Sequence, residues 1–280
     1  MSVSPQMTTA INCHTEEPTD QASRQYGVGF SVIAALVYIA SFAATIYFCF
    51  SMSGGMDMPG DWTMSMMWMR MPGQSWLESA AMFQLMWLAM MVAMMLPSAM
   101  PMLLSFRRTL AGQGIAMAEI STVLAACGYF TLWTAIGVVV YLMGISWAFA
   151  TMHWSVLSRT VPTLTGVALI LAGTFQFSRW KMSGLGDCHN PLTGIQAGKR
   201  NALWSGWSYG FHQGVFCGGC CSGLMLILLV LGSMNLIVMF VVAVVISLEK
   251  LLSKPQPVVY GAGIVAICSG LTIVLRSLSW

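Results

Sequence analysis

The chain has 280 residues, of which 57% are hydrophobic and only 8% are charged, with a formal net charge of +3. Its mean hydropathy is +0.75. Soluble domains carry about 25% charged residues, so this composition excludes a soluble globular protein and predicts a lipid bilayer as the surroundings. The twelve basic residues form no run and are not interleaved with aromatic residues, which argues against a nucleic-acid partner.

The chain divides into a polar start and a long apolar remainder. Residues 1–26 show no signal-peptide pattern and are expected to form a flexible cytoplasmic tail. Apolar runs follow at 27–50, 79–106, 119–147, 159–179 and 255–275, with room for two more between 200 and 249. Backbone groups in lipid must be satisfied internally, so each run predicts a helix. We therefore expect an all-α polytopic bundle in one domain, 27–280, with about seven crossings and six as the alternative.

The distribution of basic residues predicts the orientation. With the N-terminus in the cytoplasm, nine basic residues lie inside and three outside, as positive charge favours the cytoplasmic side. The inner residues are Arg24, Arg107, Arg108, Arg179, Lys181, Lys199, Arg200, Lys250 and Lys254. This arrangement also fits an odd number of crossings, with the C-terminus outside.

Three cysteines lie close together in one predicted crossing. Cys217, Cys220 and Cys221 occupy positions i, i+3 and i+4, so their sulfurs should share one helix face. His212 precedes them and is expected towards the same side. Thiolate and imidazole suit Cu(I) and Zn(II), which predicts a metal site here. The alternative is that these cysteines are small residues packed in a helix interior.

A second group of candidate ligands precedes that crossing. Cys188 and His189 follow an aspartate and stand just before a proline, which favours a turn. An ordinary loop is an equally good interpretation of these residues alone. Because both groups are expected near the cytoplasmic face, Cys188 and His189 could complete the site of His212 and the three later cysteines.

Methionine is the third source of soft ligands, with 25 in the chain. Thioethers keep their lone pairs at any pH and remain usable Cu(I) ligands where thiols would be oxidised. The candidates are Met56, Met58, Met64 and Met66 in an external methionine-rich loop at 51–78, and Met86, Met90 and Met94 in the second crossing. Packing is the better interpretation of the helical stripe alone. An exposed Met-x-Met spacing in the loop has no packing explanation.

The region from 84 to 252 also carries a resemblance. Its most specific part is the block Gly-Val-Phe-Cys-Gly-Gly-Cys-Cys-Ser-Gly-Leu-Met at 214–225. Further matching positions are the methionine-rich stretch 87–97 with Pro101, then Gln176, Lys181, Leu185, Cys188, Pro191 and Leu192, the stretch 231–236, and Glu249-Lys250. These residues resemble a family of predicted metal-binding integral membrane proteins that includes a copper chaperone assigned to a bacterial tyrosinase.

The resemblance implies copper handling in a bacterial inner membrane, as a maturation factor for a copper-dependent client enzyme or as part of a membrane complex. Two positions depart from the family pattern. Gly184 stands where a further cysteine is common, and Ser222 where a tryptophan is common. The missing thiol weakens a four-sulfur site and gives more weight to His189 or His212.

Three functions remain open at this stage. The leading hypothesis is a non-enzymatic Cu(I) chaperone or conduit, with zinc as the other possible metal. The second is a thiol oxidoreductase, which needs a cation near the thiols to stabilise a thiolate. The nearest charged residues along the chain, Arg200 and Glu249, are distant, which argues against it. The third is a structural or permease subunit, whose intramembrane polar residues would serve helix packing.

Overall fold

The computed structural model describes residues 18–51, 54–58, 62–68, 73–110, 115–179, 181–182, 202–232, 235–252 and 255–278, with their side chains from residue 29 onward except those of 66, 115–117, 202 and 203. These residues form seven α-helices and one small antiparallel hairpin. The elements are α1 (Pro18–Ser51), β1 (Gly55–Met58), β2 (Trp62–Ser65), a 3₁₀ turn (Met66–Trp68), α2 (Trp76–Leu110), α3 (Ile115–His153), α4 (Ser155–Gln176), α5 (Ala202–Leu231), α6 (Leu236–Leu251) and α7 (Gln256–Leu278).

The predicted all-α polytopic bundle is confirmed. Within the described ranges, six helices are long and apolar enough to cross a membrane. The remaining helix, α6, has 16 residues. At about 1.5 Å per residue it extends roughly 24 Å, which is less than the roughly 30 Å of a bilayer's hydrocarbon core. The seven predicted crossings thus become six full-length helices and one shorter one.

Three local features add to the sequence prediction. Helix α1 begins at Pro18, within the segment 1–26 that the sequence assigned to a tail. The methionine-rich segment contains a hairpin with a following 3₁₀ turn, and α2 already begins at Trp76. Helix α2 continues through Pro97 and Pro101, as is tolerated where neighbouring helices surround a proline in a membrane helix.

The contacts between helices define their relative directions. Ser121, Ala125 and Tyr129 of α3 meet Gly206, Gly210 and Gly214 of α5 in the same order, so α3 and α5 are parallel. Gly166 and Gly173 of α4 meet Gly270 and Gly263 of α7 in reversed order, so α4 and α7 are antiparallel. Both relations agree with helices that alternate in direction along the chain.

A glycine brings α3 and α5 into close contact. A Cβ atom at Gly210 would lie 1.8 Å from the carbonyl oxygen of Ala125, a distance that no side chain could occupy. Small residues at such interfaces let helix backbones approach closely in membranes. Tyr129 lies one turn beyond Ala125, and Cys217 lies two turns beyond Gly210, so this contact places the phenol beside the thiol.

The hairpin packs against the ends of three helices. The Trp68 ring covers Gly144 of α3, where an added Cβ would lie 1.9 Å from a ring carbon. The same ring is 5.4 Å from that of Phe83 in α2, measured between centroids. The Trp62 indole Nε1 donates a hydrogen bond of 3.0 Å to the Ser158 carbonyl oxygen in α4. We call this end of the bundle the hairpin side.

Candidate metal centre

Three thiols converge on the buried face of α5. Cys217, Cys220 and Cys221 are each at most 2% exposed and belong to the hydrophobic core. The Sγ atom of Cys221 lies 4.0 Å from that of Cys217 and 3.6 Å from that of Cys220. Their i, i+3, i+4 spacing produces this cluster, as the sequence predicted.

Two further helices direct polar groups at Cys217. The Tyr129 hydroxyl of α3 donates a 2.9 Å hydrogen bond to the Cys217 Sγ atom. The Lys250 ammonium of α6 donates to the same sulfur at 2.7 Å and lies 3.5 Å from the Ser98 Oγ atom of α2. Three helices therefore meet at one sulfur, with α2 contacting the lysine, and the ammonium stabilises negative charge on the sulfur.

This finding corrects the argument that no cation lies near the thiols. Lys250 is 33 residues from Cys217 along the chain, and only the antiparallel return of α6 along α5 brings them together. A polar residue in a helix of otherwise apolar composition is a signal for such a role. Glu249 and Lys250 contact different partners, Lys181 and Cys217, because neighbouring residues on a helix point in different directions.

A buried ion pair fixes the end of α6 beside the cluster. The Lys181 Nζ atom lies 2.9 Å from both carboxylate oxygens of Glu249, and both side chains are at most 1% exposed. Lys181 also donates to the side-chain oxygen of Gln176, the last residue of α4. The ends of α4 and α6 are thereby joined, and the residue after Glu249 is the one that reaches Cys217.

The thiol cluster lies at the same level along the bundle as the ends of α4 and α6. Cys217 is midway along α5 (Ala202–Leu231), and the first half of α5 continues along α3 beyond the end of α6. Sequence reasoning missed Tyr129, Lys181 and Lys250 as parts of the centre. The resemblance includes Lys181 and Lys250 but gives them no role. A lysine in an apolar stretch of sequence is itself a sign of a function.

The methionine stripe of α2 lies in the core. Met86, Met90 and Met94 are each at most 4% exposed. Met94 precedes Ser98 by four residues and therefore lies one turn away on the same face as this serine, whose hydroxyl is 3.5 Å from the Lys250 Nζ atom. Close packing accounts for the burial of this stripe, in line with the interpretation favoured for it from sequence.

Histidine 212 does not join the thiols, contrary to expectation. Its side chain is exposed and its ring contacts that of Phe216. Nine residues separate it from Cys221, which is two and a half helical turns, so the two side chains point in opposite directions. Cys188 and His189 lie outside the described residues, as does the side chain of Met66.

The methionines of the hairpin segment are less exposed than predicted. Met64 is 3% exposed and Met67 is 7% exposed, so both side chains pack against the bundle. The sequence had instead predicted an exposed loop, in which methionines have no packing role. Met56 is 43% exposed, and Met58 is half-buried. The hairpin causes the difference, because it folds one face of the segment onto the bundle.

Among the described side chains, no group of three or more histidines, cysteines, aspartates or glutamates has an arrangement that could hold a metal ion on its own. The two sulfur separations of 4.0 and 3.6 Å are similar to those between sulfur ligands of one metal ion. With metal–sulfur distances of about 2.3 Å, the sulfurs of a trigonal site lie about 4.0 Å apart and those of a tetrahedral site about 3.8 Å. Cys217 is at present directed to Lys250 and Tyr129, so coordination requires its rotation towards the other two thiols.

Comparison with known proteins gives a family match that covers this centre. Neither a curated protein nor a solved structure matches the chain. A family described as "PpoB2: Copper chaperone" matches residues 84–273, from α2 to α7, and so includes the cysteines, Tyr129 and both lysines of the centre. The match extends over about two thirds of the chain, and the chain therefore belongs to the PpoB2 copper chaperone family.

Proposed function

We propose that this protein is a membrane copper chaperone that holds Cu(I) on Cys217, Cys220 and Cys221 and passes it to a copper-dependent enzyme. The observation that carries this proposal is the convergence of three buried thiols, with sulfur separations of 3.6 and 4.0 Å, within the region that matches the family. Sulfur ligands select soft cations, and a buried cluster protects bound Cu(I) from water and oxidants.

Charge balance supports Cu(I) with Lys250 as its counter-ion. With two of the three cysteines as thiolates and the third as a neutral thiol, the Cu(I) complex carries a net charge of −1, which is costly to bury in apolar surroundings. The Lys250 ammonium, 2.7 Å from the Cys217 sulfur, would make the assembly neutral. The positive charge of Lys181 is already balanced by Glu249. The lysine directed at the sulfur is therefore Lys250.

The ligand number favours Cu(I) over zinc. Structural Zn(II) sites are almost always tetrahedral and have four ligands, whereas the described part of the cluster offers three sulfurs. Cys188 and His189 could supply further ligands from the segment after Lys181, and we retain them as candidates. His212 would contribute only through a change in α5, since it points away from the thiols.

A line of thioethers would connect the cluster with the hairpin side. Met86, Met90 and Met94 repeat every four residues, a rise of about 6 Å per step. Trp68 of the hairpin contacts Phe83, one turn before this stripe begins. Soft ligands that exchange one at a time would let Cu(I) move between the two ends of this row. The hairpin side would face outwards and the N-terminus the cytoplasm, in a bacterial inner membrane.

The test is Cu(I) titration of the purified full-length protein under reducing conditions against a competing Cu(I) chelator. The variant C217S/C220S/C221S should lose the tightest Cu(I) equivalent. The matched control is C127S/C268S, since both of these cysteines are exposed and lie apart from the cluster. Unchanged affinity and stoichiometry in the triple variant would refute the proposal, provided that its thermal unfolding matches that of the control.

A thiol oxidoreductase is the second candidate, and the position of Lys250 favours it. A lysine beside a cysteine is the setting in which reactive thiolates occur. In that case Cys217 and a neighbouring cysteine would cycle between dithiol and disulfide during turnover. Mass spectrometry of alkylated protein from cells would separate the two functions: a substantial disulfide fraction indicates redox activity, and three free thiols indicate metal handling.

A further inference from the structure

The register of the hairpin places three thioethers and one indole on the same face. Met56 is directly opposite Met64, and Met58 is directly opposite Trp62. Opposed residues of an antiparallel pair share a face, as do residues two apart on one strand. All four side chains therefore lie on one face of the hairpin, while Asp57 lies on the other, opposite Thr63.

Burial changes across this face from the inner to the outer strand. Met64 is 3% exposed, whereas Met56, its direct neighbour across the strands, is 43% exposed. Met58 and Trp62 are half-buried between these extremes. Packing against the bundle explains why an apolar residue such as Met64 stands on the inner strand. It does not explain Met56, which is accessible.

The indole of Trp62 is fixed in place. Its Nε1 atom donates to the Ser158 carbonyl oxygen at 3.0 Å, which ties the ring to α4. Directly opposed side chains have Cβ atoms about 4.5–5.5 Å apart, and diagonal ones are within reach of long side chains. A cation held by the flexible thioethers would thus lie within contact distance of an anchored aromatic face.

We propose that Met56, Met58, Met64 and Trp62 form a second Cu(I) site, separate from the thiol centre and open to the hairpin side. The three thioethers would supply soft neutral ligands, and the indole would shield the ion through a cation–π contact. This inference rests on the proposed function and deepens it, because it defines where Cu(I) is held before or after its passage along α2.

The chemistry of this face makes it selective for monovalent soft ions. It offers no thiolate, imidazole or carboxylate among the four side chains. Divalent ions such as Zn(II) and Cu(II) lose a large hydration energy, which neutral thioethers do not replace. The site should therefore take Cu(I), and Ag(I) as its redox-stable analogue, but neither divalent ion.

The experiment uses full-length protein in which the thiol centre has been removed by C217S/C220S/C221S. We expect this variant to retain one equivalent of Ag(I) or Cu(I), bound more weakly than in the wild type, and no Zn(II). Adding M56L/M58L/M64L should abolish the remaining equivalent. Leucine preserves the apolar volume, so the hairpin stays packed. Adding M143L/M152L instead, at two exposed methionines of α3, should leave it unchanged.

Several outcomes would overturn this inference. They are no retained Ag(I) in the cysteine variant, an unchanged equivalent after the three hairpin substitutions, or equal binding of Zn(II). The proposed function fails differently: the wild type and the cysteine variant would then bind Cu(I) identically. In that case, loss of the ion by M56L/M58L/M64L alone would still establish the hairpin site.

Discussion

Replacement of Lys250 by leucine, which removes the charge without adding a soft ligand, tests the charge argument at the thiol centre. A Cu(I) dithiolate of net charge −1, with its centre roughly 4 Å from the ammonium, gains about 4 kcal/mol from it at an effective dielectric constant of about 20. Lys250 is only partly buried, and solvent screening reduces this figure to about 3 kcal/mol. The expected result is an increase of about 100-fold in the Kd for Cu(I).

Two control variants separate charge from hydrogen bonding. Tyr129→Phe removes a neutral donor to the same sulfur, which should cost about 1 kcal/mol, or about fivefold in Kd. Lys250→Arg keeps the charge and should stay within about tenfold of the wild type. Chelator competition measures all three variants. Tighter Cu(I) binding by Lys250→Leu would refute the reasoning, since it would mean that the ammonium repels a cation held by neutral thiols.

Three further variants test how the fold holds the centre together. Gly210→Ala should force α3 and α5 apart, lowering the Tm and weakening Cu(I) binding, whereas Gly219→Ala, which meets no atom within 4 Å, should change neither. Lys181→Met should destabilise the protein by about 3–5 kcal/mol by leaving the Glu249 carboxylate buried and unpaired. Removing both charges with K181M/E249M should restore most of this loss in a denaturant titration. Gly144→Ala should displace the ring that covers it and accelerate hydrogen exchange in the hairpin, and unchanged exchange would contradict the docking described.

The sequence determines the helices and the shared face of the thiols more strongly than the rest of the centre. Long apolar runs leave the backbone no alternative to helix in lipid, and the spacing of Cys217, Cys220 and Cys221 fixes their common direction. The predicted position of His212 is wrong because a separation of nine residues from Cys221 puts the two side chains on opposite faces of the helix. That error was avoidable from the sequence alone.

The contacts of Lys250 and the burial of Met64 were harder to predict. The lysine reaches the thiols only because α6 has 16 residues and ends level with the middle of α5, which depends on tertiary packing. Met64 is buried because a hairpin docks on the bundle. The sequence does contain signs of a hairpin, namely the alternating pattern of the strand residues and the Pro59-Gly60 pair between them, which favours a turn. These signs conflict with the prediction of an aqueous loop.

The most direct test of the account is X-ray absorption spectroscopy of the copper-loaded full-length protein at one equivalent of Cu(I). We predict a coordination shell made of sulfur alone, with two or three thiolates from the α5 cluster, and its loss in C217S/C220S/C221S. A first shell dominated by nitrogen or oxygen, or an identical sulfur shell in the triple variant, would contradict the claim that the buried thiols hold the copper.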